Sequence, residues 1–276
     1  MLLRMSIVAI TVSLALLPGC QTVETTQAGV VGVDRDQRMM VSAEEVNAGS
    51  AKAYAQMMAE AQKKGVLDKD PAQVQRIQAI TKRLIPQTVH FRPDALKWPW
   101  EVHVISIDEV NAWAMPAGKM AMYSGLINKL NATDDELAAV MGHEISHALR
   151  EHSREQISRQ MGTQLGIGLV GALFGIGELG QSIAGQVANV TLNLPKSRQA
   201  EIEADRIGVE LAARAGYDPN AAVTLWQKMG KLSGGQPPEW LSTHPPHEDR
   251  INDLRSYAQK VMPLYTAAKG SAAAGK

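Results

Sequence analysis

His143, Glu144 and His147 form a His-Glu-x-x-His set near the middle of a 276-residue chain. On a helix, a spacing of four residues puts both imidazoles on one face, a turn apart, where they can bind one metal ion. Glu144 lies beside them and can take a proton from a water that the metal activates. The chemistry on offer is metal-assisted hydrolysis. A catalytic zinc also needs a third protein ligand and an open position. Downstream, Glu201 and Asp205 are four apart and share a helix face, while Glu203 points away from them. One carboxylate can bind the metal while the other holds a ligand imidazole by its second nitrogen. The plainer alternative is a solvated acidic helix face. His244 lies on a loop bracketed by Pro237, Pro238, Pro245 and Pro246. Either it approaches the metal, as an oxyanion donor or as a latch on the open position, or it ties the loop to the core through Arg250 or backbone. His152, five beyond His147, turns off the ligand face and reads as structural. His90, His103 and His247 read as surface or core residues without a metal role.

Helices have to position this set. Thr133-Asp134-Asp135-Glu136 is a capping box that starts the helix carrying His143. Its acids also suit the positive end of the helix dipole. Residues 196–215 form a second helix, stopped by Gly216. Further helices are expected over 42–64, over 71–84 behind Asp70 and Pro71, from Asp218-Pro219 to about 230, and over 246–262. Residues 100–107 alternate apolar and polar, which is a strand pattern. Residues 111–115 and 120–124 flank the turn Pro116-Ala117-Gly118. Together they predict a small antiparallel sheet in an α+β, mostly helical domain. The stretch 161–177 is uncharged and glycine-rich, and shorter than a membrane span usually requires. It reads as a helical hairpin; a membrane-dipping element or a lid are the other readings.

Lys and Arg number 28, as do Asp and Glu, so the balanced charge leaves no footprint for nucleic acid. Apolar residues make up 45% and aromatics 4%, which favours helices packed through small side chains. Cys20 is the sole cysteine, so an intrachain disulfide is impossible. It follows a basic start and a short apolar run and ends Leu17-Pro18-Gly19-Cys20, a pattern similar to the bacterial lipobox. Residues 1–20 are therefore expected to be a lipoprotein signal peptide, with Cys20 lipidated. By analogy with lipoprotein sorting, Gln21 rather than Asp after the cysteine points to the outer membrane. Residues 21–40 read as a flexible tether, 41–262 as the folded domain, and 263–276 as a disordered tail.

Taken in order, several segments resemble peptidase family M48. They are the His-Glu-x-x-His set, Arg198-x-x-Glu201-x-x-Ala204-Asp205, Asn111-Ala112-Trp113-Ala114, Tyr123-Ser124-Gly125-Leu126, and Thr243-His244-Pro245 with Arg250 beyond. The resemblance covers about residues 100–251. It implies a zincin-like fold and one Zn2+ per chain, held by His143, His147 and Glu201. It implies Glu144 as general base and Asp205 as partner to a ligand. It makes residues 111–114 an edge strand that pairs with substrate backbone. The family's membrane-embedded members have strong transmembrane helices, whereas the pattern over 161–194 is weaker here. The expectation is thus a zinc metalloendopeptidase, lipid-anchored on the periplasmic face of the outer membrane of a bacterial envelope. Its substrates would be unfolded or misassembled envelope proteins. The competing expectation is a binding or chaperone lipoprotein whose metal site is latched or structural.

Overall fold

The computed structural model describes residues 21–174, 182–232, 238–246 and 249–274. The expected signal peptide with Cys20, together with residues 175–181, Pro237 and His247, lies outside the described residues.

The fold is mostly helical with small sheets, as the sequence predicts. Strands β1 (Gln21–Val23) and β2 (Gln37–Met39) pair antiparallel. This segment is not the tether its composition suggested. Thr25, Thr26, Val31, Val33, Gln37 and Met39 are buried. Gln37 donates to Arg150 O at 2.7 Å and to Glu155 Oε2 at 2.8 Å. A polar stretch reads as unstructured when it has little to bury; here its polar groups satisfy other buried polar groups.

Helix α1 (Ala43–Lys63) opens on a Ser42/Glu45 capping box, and α2 (Pro71–Leu84) on Asp70 with Pro71 at its first position. Both helices lie where the sequence predicts them, and the Asp70-Pro71 start matches its sequence signal. Strands β3 (Glu101–Ile105), β4 (Ala112–Met115) and β5 (Lys119–Tyr123) form one sheet in the order β3-β5-β4. It is mixed rather than antiparallel: β4 and β5 are an antiparallel hairpin, but β3 runs parallel to β5. Residues 106–111 cross the end of the central strand and seat β4 on its far side. Local patterning marks strands but not which neighbour a strand takes. Both faces of the hairpin are covered. Ala112, Ala114, Met120 and Met122 face one apolar cluster; Trp113, Met115 and Ala121 face the other. Double burial explains why these strands read as continuous apolar runs.

Helix α3 (Ser124–Lys129) leads to α4 (Asp134–Leu149), which starts at the expected Thr133/Glu136 capping box and is almost wholly buried. Helices α5 (His152–Phe174) and α6 (Ile183–Leu192) follow and pack together, with α6 also against α1. Among the described residues no helix is long and apolar enough to cross a membrane. Helix α7 (Arg198–Arg214) is capped by Ser197 and ends before Gly216 at φ 75°. Helices α8 (Ala221–Leu232), α9 (Glu239–Thr243) and α10 (Arg250–Ala274) complete the chain. The tail expected to be disordered from residue 263 is helical through Ala274, with Pro263 inside the helix. Its alanines favour helix strongly enough to carry the element on.

The contact that matters most for the site is α4 on α7. A Cβ at Gly142 would lie 2.8 Å from Gly208 O, and one at Gly208 would lie 2.7 Å from His143 N. The two glycines let the backbones approach closely beside the first imidazole.

Candidate metal centre

The α4–α7 seam and the C-terminal end of α9 bring the four candidate groups together. Ligand atoms of His143, His147, Glu201 and His244 all lie within 4.8 Å of one another, and all four residues are buried. His143 and His147 turn their Nε2 atoms toward each other at 3.0 Å. Glu201 Oε2 is 3.6 Å from His143 Nε2, and Oε1 is 3.3 Å from His147 Nε2. No hydrogen bond reaches Glu201 Oε1 or His244 Nε2. Buried polar atoms without partners are costly. Two imidazole nitrogens, a carboxylate oxygen and a third imidazole nitrogen converging on one point form a donor set that fits a divalent cation, and zinc in particular.

Each group is held from behind. His143 Nδ1 lies 2.9 Å from Asp205 Oδ1. Arg250 donates Nη2 to Asp205 Oδ1 at 2.7 Å and Nη1 to Glu201 Oε2 at 2.9 Å. Burial alone would raise Glu201, but the facing imidazoles of His244, His147 and His143 and the Arg250 guanidinium hold it well below the usual carboxylate range. Burial opposes a charged His143 too, yet Asp205 and Glu201 raise it above its ordinary value. Burial drives His147 and His244 well down.

Glu144 faces the same space. Its Oε2 accepts from Ala114 N at 3.2 Å and its Oε1 from Trp240 Nε1 at 3.0 Å. Burial pushes this carboxyl up to about 7, against the opposing pull of His143 and the Trp240 hydrogen bond. His244 Nε2 is 3.4 Å from Glu144 Oε1. The His244 ring stacks on Trp240 with centroids 4.8 Å apart, and its Nδ1 lies 3.1 Å from Trp240 O.

Strand β4 is an edge strand beside this space. The amides of Ala112 and Ala114 turn away from β5, the first to Asn111 Oδ1 and the second to Glu144. The Trp113 side chain does not face the site: it packs edge-on to Tyr54 and donates to Tyr123 OH. Asn111 holds the strand's entry by donating to Glu109 Oε1 at 2.8 Å.

Two residues read as facing away from the ligand set reach the back of it. His152 Nδ1 lies 2.8 Å from His147 Nδ1, and its Nε2 lies 3.1 Å from Glu203 Oε2. The helical wheel of α4 cannot be extended to His152. That helix stops at Leu149, Glu151 sits at φ 50°, and His152 begins α5. Glu203 does point away from Glu201 and Asp205, but into this buried cluster rather than to solvent. Trp240 was not singled out by the sequence, and no fixed spacing ties it to the motif. His103 bonds Asp68 and Glu101, and His90 is exposed, so neither joins the group.

Comparison with known proteins adds kinship to this geometry. The profile of Peptidase family M48 matches residues 71–258. Mitochondrial metalloendopeptidase OMA1 of Arabidopsis thaliana is 41% identical over 151 residues, covering 55% of this chain and 30% of that protein. Metalloendopeptidase OMA1 of Homo sapiens is 36% identical over 167 residues, covering 56% and 32%. Beta-barrel assembly-enhancing protease of Escherichia coli (strain K12) is 31% identical over 207 residues, covering 71% and 41%. The chain spans less than half the length of each of these relatives.

Proposed function

This chain belongs to peptidase family M48, a family of metalloendopeptidases, and from that premise we propose that it is a zinc-dependent endopeptidase of the bacterial cell envelope. In this reading His143, His147 and Glu201 hold one Zn2+, and Asp205 orients His143. The observation that carries it is the convergence of buried ligand atoms from His143, His147, Glu201 and His244, with Glu201 Oε1 and His244 Nε2 left without hydrogen bonds. Zinc bound there supplies Lewis acidity, polarising a peptide carbonyl and acidifying a water.

The chain's own residues do the rest. The edge of β4 (Ala112 to Ala114, entered through Asn111) aligns an extended substrate by main-chain hydrogen bonds. Trp113 contributes backbone only, since its ring is turned into the core. Glu144 takes the proton of the attacking water as oxygen bonds to the carbonyl carbon. The carbon–nitrogen bond then breaks, and Glu144 delivers that proton to the leaving amine. Trp240 fixes the carboxylate for both transfers. Recognition through main chain suits unfolded or misassembled polypeptides, which expose it.

The Leu17-Pro18-Gly19-Cys20 pattern supports export and lipid anchoring at Cys20, with the site on the periplasmic face of the outer membrane. A beta-barrel assembly-enhancing protease among the relatives agrees with an envelope role; mitochondrial relatives show that the same catalytic domain serves elsewhere. A second reading rests on His244, whose Nε2 lies inside the donor group. There it would close the fourth position, leaving a latched or structural centre in a binding or chaperone lipoprotein.

Chelator treatment should abolish casein cleavage by a soluble form beginning at Gln21, and stoichiometric zinc should restore it. Cleavage that survives chelation would sink the zinc mechanism. Absent cleavage that appears only in His244→Ala would favour the latched reading. In cells, Cys20→Ser should release the chain from membranes; full retention would count against the anchor.

A further inference from the structure

A buried chain of contacts leads away from His147 on the side opposite the site. His147 Nδ1 meets His152 Nδ1 at 2.8 Å. His152 Nε2 meets Glu203 Oε2 at 3.1 Å. Glu203 also accepts from Arg150 Nε at 2.9 Å, from Gln199 Nε2 at 2.9 Å and from Arg35 Nε at 2.6 Å. Arg150 is held in turn by the Thr25 and Thr26 hydroxyls and by Arg35 O. The fold invests a buried carboxylate, two arginines and a docked N-terminal segment in the His152 side chain.

The polarity of this chain follows from its ends. A carboxylate clasped by two guanidiniums is ionised and only accepts hydrogen bonds. His152 must therefore carry its hydrogen on Nε2 and donate it to Glu203. Its Nδ1 is then a lone pair, so the facing His147 Nδ1 must be the donor. A His147 with hydrogen on Nδ1 presents a lone pair at Nε2, toward His143 and Glu201. Asp205 does the same for His143 directly, through Nδ1. The two imidazoles are set by different devices: one carboxylate at first hand, the other relayed through a third imidazole.

We infer that His152 and Glu203 are positioning residues that fix the ring and tautomer of His147, and that Arg35 anchors this relay from the N-terminal segment. The inference rests on reading His147 as a metal ligand, as proposed above. Residues 25–37 are then part of the catalytic domain's metal-binding apparatus rather than a spacer. An outer partner of this kind is typically worth about 10–100-fold in metal affinity.

The test is zinc affinity by competition with a chromophoric chelator, alongside the visible spectrum of the cobalt-substituted protein. Both are read on the chain from Gln21 onward. His152→Ala should weaken zinc binding by about 10–100-fold and alter the cobalt spectrum. His152→Gln should recover most of both, because an amide can accept from His147 and donate to Glu203. Arg35→Ala should give a smaller loss in the same direction. A folded His152→Ala with wild-type affinity and spectrum overturns the relay. Should the variants not fold, nitrogen-15 resonances of the wild-type imidazoles decide it. Hydrogen on His147 Nδ1 and His152 Nε2 upholds the relay, and the opposite pair overturns it. Wild type that binds no zinc would overturn the ligand reading and the relay with it, whereas zinc bound equally by wild type and His152→Ala sinks the relay alone.

Discussion

Arg250 joins the Glu201 and Asp205 carboxylates of α7 while its guanidinium lies 3.7 Å over the Trp226 ring. It is wholly enclosed, as are Glu201 and Asp205, so removing its charge strands two buried anions. Arg250→Met is expected to cost about 3–5 kcal/mol in urea unfolding; a loss below about 1 kcal/mol would deny it this role. Trp240→Phe keeps the ring against His244 but deletes the donor to Glu144. A hydrogen bond to a charged group is worth about 1.5–3 kcal/mol, so kcat should fall by about 10–100-fold with zinc content unchanged. An unchanged kcat would show that Glu144 is fixed otherwise. At this scale the sequence disclosed the residues with regular spacing: His143, Glu144 and His147 on one helix, Glu201 and Asp205 on another. It did not disclose Trp240 or the two hydrogen bonds from Arg250 to Glu201 and Asp205, because those contacts join distant stretches with no repeat to betray them. His152 stands outside the ligand group, as a structural residue should, but its contact with His147 is not legible, because helical geometry does not run past the end of α4.

Among elements, the α4–α7 seam sets the distance between the imidazoles and Glu201. Gly208→Ala would drive a methyl to 2.7 Å from the backbone nitrogen of His143. Overpacking of that kind costs about 1–3 kcal/mol, and here it would also spread the donor set. Lower thermal stability together with weaker zinc binding is the expected result; a variant matching wild type in both would show that the seam tolerates separation. The helices themselves were legible, since the Thr133 capping box and the cap at Asp70 act within a few residues. Strand partners were not. Burial on both faces removed the alternation that marks a half-exposed strand, and the parallel pairing of β3 with β5 depends on a crossing that no local pattern encodes.

For the whole molecule, the main surprise is the docked N-terminal segment. Arg35 bridges Glu155 and Glu203, joining β2's approach to α5 and α7. Burial would raise Glu155, but Arg35 and Gln37 bond it and hold it down at about 2, from an ordinary value of 4.5. A carboxylate depressed by folding stabilises fully above its unfolded value and loses that contribution as pH falls toward its folded one. Stability should therefore decline as pH drops from about 4.5 to about 2. In Arg35→Ala that decline should be shallower, as followed by urea unfolding across the range; identical slopes would mean that Glu155 owes its shift to other groups. Segment 21–40 was misread because composition measures what a stretch can bury by itself, not which buried groups elsewhere need its hydrogen bonds. The family, the helical zincin-like character and the candidate metal residues were all visible beforehand, since the motif spacing reflects chemistry that tolerates little variation.

The central claim is that a metal at the α4–α7 seam and the Glu144 carboxylate together cleave peptides. Casein digestion by wild type and Glu144→Gln, with zinc measured on both samples, tests it most directly. About one zinc in each, with cleavage by wild type alone, is the expected result. Cleavage by both, or no zinc in either, would contradict it.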